Sequence, residues 1–197
     1  MPQQVLDRST LLARGAVLLA SGGILGRAGR ADAATLPDAD LAYLRLLIGV
    51  ELLKIDYGVR AVTAKRLGTA AQGVVKRLAL HDKRHYIGLA ALVTGAGQTP
   101  ATSDDVDFAY PRGSFSTEGA TLRLGRKLAM LALGAYLGAV QNVQTPELRL
   151  PLAQIAANEA QQASAFGQLL GGHVVGSAFA ASLQIDAVSA ALDEYES

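Results

Sequence analysis

The chain contains no cysteine, so disulfides, thiolate metal sites and thiol catalysis are all excluded, although this alone does not fix a redox compartment. Aromatic residues are also scarce, at 5% against an apolar fraction of 50% that is rich in alanine and leucine. No run of alternating apolar and polar residues marks a set of strands, and this composition favours a helical protein. Neither sign of charge is in excess: 18 basic residues face 17 acidic ones, and the net charge of +1 offers nucleic acid no electrostatic footprint. The glycines lack phosphate-loop spacing, and no serine sits in a nucleophile-elbow context. With 197 residues, the chain is long enough for one domain with its own core.

The first 33 residues read as an export signal. Arg8 and Arg14 flank a short apolar stretch that continues through "AVLLASGGILG", and "ADA" at Ala31–Ala33 supplies the small residues that a signal peptidase recognises. "DRSTLLARGA" is similar to a twin-arginine signal, with Asp7 where the first arginine would stand. The apolar run falls short of the ~20 residues that a membrane span needs. The expectation is a signal over 1–33, a mature domain over 34–197, and a location in the periplasm, cell envelope or extracellular space.

Four long helical patterns follow, expected over about 38–66, 70–94, 116–143 and 147–170. Asp38 after Pro37 is the expected N-cap of the first, and Gly68, Gly95, Gly97, Pro146 and Gly171 punctuate the rest. "IDAVSAALDEYE" adds a short C-terminal helix. The connections run short, long, short, and the long one, "GAGQTPATSDDVDFAYPRGS", is of a length uncommon inside a compact domain. Two antiparallel hairpins joined by one crossover account for that pattern: an all-α, ferritin-like four-helix bundle.

The apolar stripes of these helices carry a few acidic, imidazole and amide groups. Glu51 lies among Leu44, Leu47, Ile48 and Ile55, with Lys54 and Asp56 expected off the stripe. Asp82 and His85 are three apart and stack with Val75, Leu78, Leu89 and Leu92, which leaves Lys76, Arg77, Lys83 and Arg84 on solvated faces. Glu159 and Gln162, also three apart, lie between Leu152 and Ile155 on one side and Phe166 and Leu169 on the other. Unpaired, these charges would cost several kcal/mol each in a core. A divalent cation would neutralise the carboxylates and use a neutral imidazole. The metal-free alternative has Glu51 paired with Arg45 or Lys54, Asp82 bonded to His85, and Glu159 with Gln162 forming a polar layer. His81 is expected to be solvated and Tyr136 to be a packed aromatic.

The sequence resembles the bacterial ferritin-like domain proteins, relatives of ferritins and bacterioferritins that are often exported. "LIGVELLKIDYG" is similar to their first-helix segment, with Glu51 at the ligand position. "LHDKRHYIGL" resembles their E-x-x-H segment, with Asp82 replacing the glutamate. "LALGAYLGAV" is similar to the third helix around Tyr136, and "IAANEAQQASAFGQLL" to the second E-x-x-H segment, with Gln162 where histidine is expected. The resemblance covers about 38–171. It implies a metal site formed by Glu51, Asp82, His85, Glu159 and Gln162, with iron or another divalent metal as cofactor.

The departures from the family pattern are specific. Between Gly125 and Thr145 there is no Asp or Glu, so the third helix lacks its expected carboxylate and instead offers Met130, Leu133 and Leu137 towards the core. Gln162 has only a carbonyl oxygen to give. The expectation is therefore a single-metal, altered di-iron-type site. The alternative is a metal-free bundle serving as an envelope interaction module. A metal ion and a homodimer are the partners considered, the mature chain has no membrane span, and enzymatic activity is left open.

Overall fold

A computed structural model describes residues 36–172 and 176–195. The expected signal over 1–33 lies outside these residues. The described residues form five helices: α1 (Asp38–Thr63), α2 (Thr69–Gly95), α3 (Glu118–Asn142), α4 (Pro146–Leu169) and α5 (Ile185–Asp193). The first four make the bundle. The α1–α2 hairpin packs against the α3–α4 hairpin through α1 on α3 and α2 on α4, so α2 and α3 face each other diagonally.

The helix boundaries follow from local chemistry. Asp38 does not cap α1. It is the first helical residue, Pro37 holds the cap position, and Asp38 and Asp40 place negative charge at the positive end of the helix. The helix ends at Thr63, just before Lys65 takes a φ of 54°. Gly97 and Gly171, with φ of 76° and 68°, follow the ends of α2 and α4, where the chain needs the left-handed conformation. The Thr117 hydroxyl accepts a bond from the Ala120 N–H and caps α3, while Pro146 opens α4, where its missing N–H costs nothing.

The long connection between α2 and α3 runs the length of the bundle alongside α1. At one end the Arg45 side chain donates to Gln98. Further along, the Tyr110 hydroxyl donates to the Leu53 carbonyl and Arg60 to the Phe108 carbonyl. At the far end Phe115 lies beside Tyr57, whose hydroxyl donates to the Thr121 carbonyl in the first turn of α3. α2 and α3 thus run in the same direction, and only a crossover long enough to span the bundle can join them. Asp40 ties the opposite end: its two carboxylate oxygens accept the Gln144 and Thr145 N–H groups at 2.7 and 2.8 Å, joining the start of α1 to the α3–α4 turn. The core is mainly leucine and alanine, with Tyr57, Tyr136 and Phe166 packed among them.

Candidate metal centre

The middle of this core is polar. Glu51, Asp82 and Glu159 are buried and His85 nearly so, and one potential ligand atom from each lies within 4.8 Å of those from the others. The i, i+3 spacing of Asp82 and His85 aims both inward from α2, while α1 and α4 supply one glutamate each. Lys76, Arg77, Lys83 and Arg84 are exposed, as the helical split requires.

Two residues change the expected picture. Lys54 is not off the stripe. It is 3% exposed, one turn beyond Glu51, and its ammonium enters the cluster. It donates to Asp82 Oδ1 at 2.8 Å and to Glu159 Oε2, and lies 3.9 Å from Glu51 Oε2. Tyr136 is fully buried, and its hydroxyl donates to Glu51 Oε1 at 2.5 Å, so α3 does contribute a polar group. Arg45, the other partner considered for Glu51, bonds Gln98 instead. The spacing already held the Lys54 signal, since residues three apart share a helix face.

Gln162 is buried beside Glu159, but it presents its amide nitrogen rather than its carbonyl oxygen. Nε2 donates to Asp82 Oδ1 at 2.7 Å, with longer contacts to Glu159 Oε1 and Asn158. On α3, Met130 points outward at 46% exposure and Leu137 is only half-buried, so of the three expected core residues Leu133 alone is buried. Leu128 lines the space beside Lys54, Asp82 and Gln162. The same sequence spacing separates Glu51 from Asp82 and Leu128 from Glu159, so Leu128 stands where the second hairpin would repeat Glu51. His81 is half-buried rather than solvated, with Nδ1 shielded and unbonded.

The electrostatics follow from burial set against charge. Burial raises the Glu51 pKa, with Lys54 and His85 only partly opposing it. Burial pushes Glu159 the same way, but the Lys54 charge and the His85 contact outweigh it and leave the pKa lowered. Burial works against the Lys54 charge, yet the three carboxylates hold its pKa above the ordinary value. His85 is similar: burial opposes its proton, and Glu159 and Glu51 raise its pKa to about 9. Burial, then the Glu51 charge, keeps the Tyr136 phenol protonated and able to donate.

The cluster divides into two halves. His85 Nδ1 lies 3.4 Å from Glu51 Oε1 and 3.3 Å from Glu159 Oε1, and neither contact has hydrogen-bond geometry. The second oxygens of both glutamates turn towards Lys54. Carboxylates and an imidazole project here from facing helices into the core of a crossover bundle, the position where bundle proteins that carry a metal build its site. The sequence profile of the ferritin-like domain matches residues 39–172, and the chain belongs to that family. No curated protein matched the chain.

Proposed function

We propose that this ferritin-like domain protein is exported and holds one divalent metal ion between Glu51, His85 and Glu159. One observation carries the reading: His85 Nδ1, buried and without a hydrogen bond, faces one oxygen of each glutamate at 3.3–3.4 Å. Ligand atoms bound at ~2.0–2.2 Å to one tetrahedral ion stand about 3.3–3.6 Å apart. The residues present fit one such ion. They do not fit two, because Leu128 and the Gln162 amide stand where a second would find a carboxylate and an imidazole, and Lys54 holds the carboxylate oxygens that remain.

A mixed oxygen and nitrogen set suits iron, manganese or zinc and excludes the soft ions that select thiolates. When bound, a divalent ion supplies a compact positive charge and Lewis acidity. The chain's own groups do the rest. Tyr136 fixes Glu51 Oε1, Lys54 fixes Glu159 Oε2, and the apolar walls of α1 and α3 exclude water. Among the described residues, two-iron oxygen chemistry has no second ligand set. Export is supported by the charged start, apolar run and "ADA" boundary of the first 33 residues.

Native mass spectrometry of protein isolated from its host tests both parts together. The expected species lacks residues 1–33 and carries one divalent ion, His85→Ala and Glu159→Gln each lose that ion, and ferrous iron added to the wild type is not rapidly oxidised. An ion content unchanged in His85→Ala would sink the metal assignment, and an intact Met1 or Pro2 terminus in the envelope fraction would sink the export assignment.

A further inference from the structure

We propose that the Lys54 ammonium is a built-in second cation, standing where a dinuclear centre would carry its other metal ion. The proposal rests on the single-ion reading for the His85 half of the cluster and concerns the other half. Glu51 and Glu159 each direct Oε1 to His85 Nδ1 and Oε2 to Lys54 Nζ, so both carboxylates bridge two cation positions. Asp82 Oδ1 completes the lysine side at 2.8 Å. Lys54 is 3% exposed and reaches carboxylates from three helices, which no surface lysine does.

Charge and space both favour this arrangement. Three buried carboxylates carry three negative charges. One divalent ion and one ammonium balance them with His85 neutral, whereas two divalent ions beside the ammonium would leave two uncompensated positive charges in a low-dielectric core. The cavity beside Lys54, lined by Tyr57, Asp82, Leu128, Gln162 and Phe166, has a volume of about 10 Å³, at the limit for a single water. A second ion with its own water ligands has no room while Lys54 is in place. The lysine also supplies what a metal-free bundle needs, a cation that holds Asp82 and Glu159 together before any ion arrives.

Lys54→Ala removes both the charge and the bulk of the side chain and frees the oxygens of Glu51, Asp82 and Glu159 that face it. Purified wild-type and Lys54→Ala proteins are stripped with EDTA, dialysed against excess manganese(II), and analysed for bound manganese and melting temperature. The expected result is one further manganese ion per chain in Lys54→Ala relative to wild type, with a larger fall in melting temperature on stripping that manganese reverses. Equal manganese content and equal sensitivity to EDTA in the two proteins would overturn the proposal. Should Lys54→Ala fail to fold in EDTA, folding only when manganese is supplied supports the proposal. The wild type gives an independent arm that needs no variant: two manganese ions per chain, with the exchange-coupled resonance of a metal pair, overturns it. A wild type that binds no manganese removes the single-ion reading alone, since the gain in Lys54→Ala still decides the role of the lysine.

Discussion

At the scale of single residues, His85 is under two opposing pressures. Burial disfavours its proton, and the Glu159 and Glu51 oxygens beside Nδ1 favour it more, raising the pKa from 6.5 to about 9. In metal-free protein the stabilisation from protonated His85 is therefore fully present below about pH 6.5 and lost as pH rises through 9, an amount on the order of 3 kcal/mol. Urea denaturation in EDTA at pH 6 and pH 9.5 should show this loss in the wild type and a smaller one in His85→Gln; parallel profiles would refute it. Glu51, Asp82, His85 and Glu159 were all legible as inward-facing, because each lies among leucines and isoleucines at helical spacing. For Lys54 the spacing showed only that it shares a face with Glu51; the inward turn of its ammonium was not legible, because a long flexible side chain near the edge of a stripe can extend to water or turn inward, and the carboxylates of α2 and α4 decide which. Tyr136 was legible as a core ring but not as a donor, since its partner lies on another helix.

At the scale of elements, α3 is shaped by what it lacks. Gly134 and Gly138 present bare backbone on one face, and the segment leading into α5 lies directly on it. The Leu183 N–H donates to the Gly134 carbonyl at 2.9 Å, and a Cβ at Gly138 would come within 1.9 Å of the Leu183 carbonyl oxygen. Alanine gains about 1 kcal/mol over glycine in a helix interior, but overpacking against backbone costs about 1–3 kcal/mol and more when nothing can yield. Gly138→Ala should thus lift this segment and α5 off the bundle, seen as faster amide exchange over 181–195 and a net loss of stability; unchanged exchange would contradict it. Helix identity and order were legible from periodicity, and the crossover from its length. The end of α1 was not, because Lys65 takes a left-handed conformation usually left to glycine, and no local residue announces it.

At the scale of the whole molecule, the two hairpins meet through α1 on α3 and α2 on α4, while the crossover, Asp40 and Lys54 bind one hairpin to the other. The sequence pattern could suggest that two hairpins exist, but a contact such as that of Asp40 with Gln144 and Thr145 joins residues over a hundred positions apart and leaves no periodic trace. The crossover has a further consequence in terms of reach. Its 22 residues between Gly95 and Glu118 could extend to about 73–79 Å, whereas α1, beside which it runs, is only about 39 Å long. This slack lets one chain's α3–α4 hairpin reach the α1–α2 hairpin of a second copy without breaking any helix, the condition for an exchanged dimer. Refolding at increasing protein concentration, followed by size-exclusion chromatography with light scattering, should yield a dimer whose fraction grows with concentration and persists on dilution. Only monomer at every concentration would show that the Tyr110 and Arg60 anchors take up the slack before a second chain can use it.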